Sequence, residues 1–546
     1  MQPQKPAPQI RQDLTQRHKR LGLRTVWISA MTLVSRILGF IREALSAALF
    51  GDKSLVFDAF ITAWRIPNVF RRFLGEGALS TSFQTALTEV DAERGDLAGA
   101  ALFKATAVRL LIVLILLTTV MIALALWAPD TMPGTGWAWL GADPEPVREL
   151  AARVMPYLIL ICLAALVSGG LQVRGHFTAP ALAPAVMNVA WISTLLVIAW
   201  RFGFTESADE AATAATHMTM ARWLAAGVLI AGLVQLGVQV PALFKTGLLG
   251  VNTSGEIISK QAVRAVLWSS LPMALGAAVY QINVMIDGLM ALGLLPKGGP
   301  TLHYYANRVQ QFPMALVAVA ATSAVFPALK ALGHKGDLAA VRKLHDTTHR
   351  NVAFFALPAS IGLFALAEPV IQVLFQHGAF GEIGVERASS ALRMLCLAIL
   401  PAGATGLCAR TYYALGEFAH PVRISIVMLI TNVGLNLLFI MKYNMDVDGL
   451  SLATAISSWG TLLLMLPGLS KRLPKPAGGT LQGIAVMLIP TLGCGLAAHF
   501  AWIPLAALLP NAIALAGAIG AGGLAYAVIA IALRLPEARR LMSRGK

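Results

Sequence analysis

Apolar stretches of twenty or more residues recur along this chain from Val26 to its C-terminus. Each is long enough to cross a hydrocarbon core of roughly 30 Å as a helix rising about 1.5 Å per residue. Lipid offers no partner to a backbone N–H or C=O, so a spanning segment must be a helix or part of a closed barrel. The period-two alternation of barrel strands is absent. Hydrophobic residues make up 57% of 546 positions and charged ones 13%, a balance that a water-soluble chain of this size does not keep in solution. The expected fold class is an all-α integral membrane protein of about fourteen transmembrane helices.

The spans read as 26–50, 56–78, 103–128, 149–172, 179–201, 219–245, 262–293, 301–330, 349–376, 388–415, 421–442, 447–470, 479–505 and 511–534. Connectors on one side carry Arg174, Lys245, Lys260, Lys330, Lys335, Arg342, Lys343, Arg410, Lys471, Arg472 and Lys475, while those on the other, such as 129–148 and 202–218, are poor in base. By the positive-inside bias both termini are cytoplasmic, as an even number of spans requires, and the membrane is the cell inner membrane. Residues 1–25 read as a basic cytoplasmic tail without a signal-peptide cleavage site, and 535–546 as a second tail. Trp127, Trp137, Trp139 and Trp200 fall near outer span ends, as an interfacial aromatic belt does. The net charge of +16 is dispersed over many cytoplasmic connectors, so topology and anionic membrane lipids account for it better than nucleic acid. Cys162, Cys396, Cys408 and Cys494 form no C-x-x-C pair, which disfavours a metal or disulfide framework.

An internal repeat is visible. Residues 175–180 read GHFTAP and 416–421 read GEFAHP, sharing G-x-F-x-x-P at an offset of 241, and Trp27 and Trp268 repeat at the same offset. Ala63-Trp64-Arg65 and Ala306-Asn307-Arg308 each lead toward a proline, Pro67 and Pro313. The spacing suggests two pseudo-symmetric six-helix lobes, 26–246 and 262–471, in the same orientation, with 479–534 outside the repeat.

Charges then appear where lipid is expected. Residues 35–43 read SRILGFIRE; Arg36, Gly39 and Glu43 share one helical stripe, and Ser35 and Arg42 another. A charge inside a span is costly, so these groups should face an aqueous cavity or one another. Two arginines against one carboxylate leave a positive surplus that favours an anion; ion pairing between helices is the alternative. The next span carries Asp58 near its outer end, then Arg65, Asn68, Arg71, Arg72 and Glu76 around Pro67, which removes a helical hydrogen bond. Arg71 and Arg72 also suit flanking charges. Arg308 follows Tyr304 and Tyr305 and is the repeat counterpart of Arg65, or an interfacial arginine. Asp287 is a lone intramembrane acid; with Asn432, Asn436 and Thr454 it offers oxygen ligands for Na⁺, or these polar groups are interhelical glue. His345 and His349 lie in a basic linker without a third ligand and read as a solvated face. No nucleotide-binding, G-x-S-x-G or zinc signature is present, which argues against an enzyme.

The blocks SRILGFIRE (35–43), DAF (58–60), RIPNVFRRFLGEGALSTSF (65–83), YYANR (304–308) and Y-A-L-G-x-x-x-x-P (413–421) resemble the MurJ (MviN) lipid II flippases of the multidrug/oligosaccharidyl-lipid/polysaccharide exporter superfamily. The resemblance covers nearly the whole chain. It implies translocation of undecaprenyl-diphosphate-linked MurNAc(pentapeptide)-GlcNAc from the cytoplasmic to the periplasmic leaflet, in contact with the cell-wall synthesis machinery. It places the family's essential positions on Arg36, Arg42, Asp58, Arg71 and Arg308. Glu43 stands where the family has Asp, keeping the charge, and Asn307 where it has Asp, losing one. It also implies that 479–505 and 511–534 form a groove for the lipid tail. On this reading Arg36, Arg42 and Arg308 take the place of water around the diphosphate, because a guanidinium matches phosphate oxygens bidentately. Alternating access is then driven by Na⁺ or the membrane potential, with no cofactor. The competing readings are a cation-coupled exporter of drugs or another polyprenyl-linked saccharide, a membrane glycosyltransferase using Asp58, and a scaffold of the cell-wall machinery.

Overall fold

A computed structural model describes residues 7–71, 78–127, 144–204, 210–249, 279, 281–318, 325–475 and 479–544, and all their regular elements are helical. The chain forms two compact units. The first comprises Met1–Ser46, Ala63–Pro129 and Glu145–Ala278, and the second Ala47–Thr62, Asp130–Pro144 and Val279–Lys546. Residues 47–62 thus belong to the second unit, although on the sequence they fall within 26–246.

The first unit holds most of α1 (Ala7–Phe50), the latter part of α2 (Leu55–Phe70), α3 (Ala78–Arg94), α4 (Asp96–Trp127), α5 (Pro144–Val154), α6 (Tyr157–Val173), α7 (Thr178–Phe202), α8 (Glu210–Gly237) and α9 (Val240–Lys245). Its outer surface is what a lipid solvent selects: Val108, Ile112, Leu116 and Leu124 of α4 are all more than half exposed. Trp127 and Trp200 close α4 and α7 almost fully exposed, where an indole bridges apolar and wet layers. Small residues let the helices touch. A Cβ on Gly227 of α8 would lie 2.3 Å from Thr194 of α7. α3, in a stretch read as a connector, is a polar helix, and Arg174 ties it down by binding Asp91 at 2.9 Å and Asp96 at 2.6 Å. Burial pushes the Asp91 carboxyl up, and Arg174 pulls it back.

The second unit holds α10 (Gln281–Leu294), α11 (Gly299–Ala318), α12 (Phe326–His334), α13 (Leu338–Ala365), α14 (Ala367–Phe375), α15 (Glu382–Cys396), α16 (Ile399–Ala414), α17 (Ala419–Leu437), α18 (Val447–Ser470), α19 (Thr480–Leu508), α20 (Asn511–Ala532) and α21 (Pro536–Arg544). One core joins α12, α13, α16, α17 and α18 around Leu407, Tyr412 and Met465. Another joins α13, α19, α20 and α21 around Phe354, Met487 and Tyr526, whose hydroxyl donates to the Phe354 carbonyl at 2.7 Å. α21 falls in the supposed tail 535–546. It is instead docked, its buried Glu537 accepting from Arg350 of α13 at 2.8 Å.

Each G-x-F-x-x-P block makes the same turn in its own unit. Gly175 (φ +74°) and Gly416 (φ +81°) end α6 and α16 in the left-handed region that glycine enters without penalty. The next N–H closes back at 2.8 Å, His176 to Leu171, and at 2.9 Å, Glu417 to Tyr412, a Schellman motif in both. Phe177 and Phe418 then open α7 and α17. Pro67 and Pro313 both lie inside helices, α2 and α11, while Trp268 lies outside the described residues.

Among the described residues nine helices are long and apolar enough to cross a membrane, or ten if α13 and α14, bent by 70°, form one span. Expected span 349–376 is therefore broken at Leu366. The count of about fourteen also included 262–293, mostly outside the described residues, and three stretches now seen as α1, α2, which is 16 residues long, and α11, which carries Arg308 and several polar side chains. His345 corrects another expectation. It is not on a solvated face but 2% exposed against α16, its Nδ1 2.9 Å from Thr411 Oγ1, because α13 carries the linker residues into the helical core.

Candidate functional site

The intramembrane charges settle into one cluster in the first unit and two in the second. In the first unit Arg42 and Glu43 pair with each other, Nη2 to Oε1 at 2.5 Å, and are 6% and 5% exposed. The sequence left open whether Glu43 would neutralise Arg36 or Arg42; it closes on its chain neighbour. The other Arg42 nitrogen, Nη1, donates to Asn188 Oδ1 of α7 at 3.1 Å, and the guanidinium lies 4.5 Å over the Trp191 ring. Asn188 Nδ2 donates to the Ser35 carbonyl at 2.9 Å. Gly39 sits between the two contacts, where an added Cβ would be 3.9 Å from that nitrogen. Arg36 is half-buried one stripe away. Arg42 in this conformation thus meets Glu43, Asn188 and Trp191, the partner outcome that the charge pattern left open beside an aqueous cavity.

Further along the same unit Trp64 packs on Tyr157 and Trp191 with ring centroids 4.9 and 4.8 Å apart, and Arg65 is buried beside it in sequence. Asn68, expected to line up with Arg65 and Arg72, accepts from Arg71 Nε at 2.9 Å. Arg72 and Glu76 lie outside the described residues.

In the second unit Asp58 has a different task from the expected head-group contact. Its Oδ2 accepts from Gly298 N at 2.7 Å, and its Oδ1 from Thr301 N at 3.1 Å and Thr301 Oγ1 at 2.6 Å. These are the orphan donors at the start of α11, so Asp58 caps that helix from another segment, charge against dipole. Further along α11, Arg308 is half-buried, with Nε donating to Tyr304 OH at 3.1 Å and its Cζ 5.2 Å from the Tyr304 ring centroid. Asn307 accepts from Gln311 one turn on. Tyr305 is fully buried in a stack with Phe375, centroids 4.6 Å apart.

Asp287 is not alone. Its Oδ1 accepts from Asn436 Nδ2 at 2.8 Å and its Oδ2 from Asn283 Nδ2 at 3.0 Å, and Asn436 Nδ2 also reaches Asn432 Oδ1 at 3.2 Å. Asp287, Asn432 and Asn436 are 3%, 1% and 0% exposed, and two amide atoms, Asn436 Oδ1 and Asn432 Nδ2, are buried without a hydrogen-bond partner. A buried orphan oxygen beside a carboxylate and a second amide oxygen is a donor set that a hard cation suits. Thr454 turns its hydroxyl to the Leu450 carbonyl at 3.1 Å. Among the described residues no group of three or more His, Cys, Asp or Glu is placed to hold a metal ion.

Asn188, Trp191, Asn283, Gly298 and Thr301 are among the participants that escaped the sequence reading. Asn188 had a signal, a lone amide inside the apolar span 179–201, and Asn283 had another, its i, i+4 spacing to Asp287.

The family model described as "Lipid II flippase MurJ" matches residues 46–517. A probable lipid II flippase MurJ of Vibrio cholerae serotype O1 is 32% identical over 463 residues, 83% of this chain and 83% of that one. The lipid II flippase MurJ of Burkholderia cenocepacia is 30% identical, over 83% of this chain and 85% of its own. Among solved structures a lipid II flippase MurJ in an inward closed conformation superposes with a TM-score of 0.71 at 20% identity, covering 93% of this chain and 99% of that chain. An inward-facing multidrug resistance MATE family transporter superposes at 0.65 with 15% identity, over 80% of this chain and 94% of its own. At such identities these two likenesses speak to the fold alone, a polytopic helical one.

Proposed function

The chain belongs to the lipid II flippase MurJ family, and we propose from that premise that it carries lipid II from the cytoplasmic to the periplasmic leaflet of the inner membrane. The single observation that carries this reading is the family match over residues 46–517. The base-rich connectors support cytoplasmic termini. The problem such a protein solves is electrostatic: a diphosphate and its sugars must cross hydrocarbon, where unsolvated charge is prohibitively costly.

Arg42 is the residue best suited to hold the diphosphate. Because it is paired with Glu43 and only 6% exposed, capture proceeds by exchange: phosphate oxygens take the place of the Glu43 carboxylate. A guanidinium meets phosphate in a two-pronged arrangement and the incoming group carries more charge than the one it displaces, which offsets the exchange once the released Glu43 carboxylate takes up a proton. Arg36, Arg65 and Arg71 in the first unit and Arg308 in the second supply further positive charge, and Asp58 serves by fixing the start of the helix that bears Arg308. The prenyl tail rides along 479–534, where Leu488, Leu492, Leu496 and Phe500 of α19 are exposed. The lipid leaves chemically unchanged. Alternating access exposes the head group to each side in turn. Two arginines against one acid in 35–43 disfavour a cationic drug as cargo.

The test is the accessibility of lipid II in each leaflet before and after acute inactivation of this protein. Accumulation on the cytoplasmic side with loss from the periplasmic side is expected; an unchanged distribution removes the function.

Coupling to Na⁺ fits the oxygen set of Asp287, Asn432 and Asn436, which would hold the ion and supply its countercharge. Asp287→Asn is expected to abolish any Na⁺ dependence of flipping in proteoliposomes while leaving the protein folded. Retention of full Na⁺ dependence would place the coupling ion away from Asp287.

A further inference from the structure

We infer that Asn188, in the middle of α7, is a positioning residue for head-group capture: it aims the Arg42 guanidinium through an amide whose two ends have different tasks. The inference rests on the reading of Arg42 as the diphosphate ligand and names a residue that this reading leaves out.

The amide orientation follows from its partners. A main-chain carbonyl can only accept and a guanidinium can only donate, so with Ser35 O at 2.9 Å and Arg42 Nη1 at 3.1 Å the nitrogen must face the first and the oxygen the second. Ser35 precedes Arg42 by two helical turns on the same stripe. Asn188 therefore grips α1 at one point and directs its arginine at another, with Gly39 on the helix surface between them. Trp191, nearly one turn farther along α7, presents its ring 4.5 Å from the Arg42 carbon and confines the guanidinium to a plane. Asn188 and Trp191 are 7% and 4% exposed, so both restraints act away from water, where hydrogen bonds are strongest.

The chemistry of these restraints matters. Arginine loses more rotamer freedom on ordering than most side chains, and that loss is met before the lipid arrives. Asn188 and Trp191 are neutral, so they hold the arginine without competing for its charge. Glu43 is the carboxylate that Arg42 holds, and it has to yield to phosphate. An aspartate at position 188 would reverse this, for it offers nothing to the Ser35 carbonyl and adds a second carboxylate to Arg42.

Binding of purified lipid II to the full-length protein in nanodiscs of fixed lipid composition, with melting curves alongside, tests the assignment. Asn188→Ala is expected to weaken binding roughly ten-fold, the usual scale for a hydrogen bond to a charged group. In an Arg42→Ala background the same change should do nothing more, because its effect passes through Arg42. Asn188→Asp is expected to weaken binding further, and Glu43→Gln to restore part of that loss by removing the extra charge. Normal binding by Asn188→Ala beside a defective Arg42→Ala overturns the role of Asn188 and leaves Arg42 in place. An equal loss from Asn188→Ala with and without Arg42 also overturns it, as a generic packing defect would. Normal binding by Arg42→Ala removes the underlying reading together with the inference. Should Asn188→Ala not fold, the Asn188→Asp pair decides: equal weakness with and without Glu43→Gln overturns the proposal.

Discussion

Replacing Arg42 with alanine is expected to abolish growth support in cells depleted of their own flippase and to abolish flipping in vesicles, while expression and membrane insertion persist. The expectation follows from how much the side chain holds at once: Glu43 at 2.5 Å, Asn188 at 3.1 Å and the face of Trp191. Its removal also leaves Glu43, 5% exposed, as a buried carboxylate without its nearest cation. Breaking a buried pair in this way costs about 3–5 kcal/mol unless the acid takes up a proton. Arg42→Ala combined with Glu43→Gln separates the two effects, since it removes the stranded charge and should recover melting temperature but not transport. Arg42→Lys should retain part of the activity, because a point charge attracts phosphate but cannot fork onto two oxygens. Normal flipping by a well-folded Arg42→Ala protein would refute the site assignment, and full activity of Arg42→Lys would refute two-pronged capture.

Gly298→Ala should be nearly as damaging, by a route that involves no charge. Gly298 has φ +85°, and a Cβ there would lie 1.8 Å from the Asp52 carbonyl oxygen. Backbone cannot swing aside as a side chain can. The residue also donates to Asp58, so moving it disturbs the cap of α11. A loss of about 3 kcal/mol or more is expected, read as a fall of several degrees in the melting temperature of the detergent-purified protein or as failure to recover it. Gly336→Ala is the control: it has φ +71° and nothing within 4 Å, so it incurs only the left-handed penalty of about 1 kcal/mol. Equal effects at the two positions would show that conformation, not the Asp52 contact, sets the cost.

The class of fold was legible because lipid imposes one rule on every backbone, and the G-x-F-x-x-P turns were legible because a left-handed residue at Gly175 and Gly416 has few chemical solutions. The break between α13 and α14 had a local mark in Pro369, well placed in the first turn of a new helix, but an apolar run on both sides concealed it. Long-range partnerships left no such mark. Asp58 looks like a ligand until Gly298 and Thr301, some 240 positions on, consume its oxygens. His345 looks solvated among bases until Thr411 is found against it. Asn188 reads as one polar residue in an apolar span, and only the approach of α7 to α1 gives its amide two addresses. Arg42 and Glu43 could be singled out from cost alone, since charges at such depth need a reason; that they would choose each other is a matter of rotamers.

The closeness of that pair bears on electrical work. A transmembrane voltage exerts about 2.3 kcal/mol on each elementary charge per 100 mV traversed. A guanidinium and a carboxylate 2.5 Å apart form a short dipole with no net charge, on which a uniform field does almost no work. The Arg42–Glu43 pair therefore offers voltage little to pull, and the surplus positive charge of 35–43 rests on Arg36.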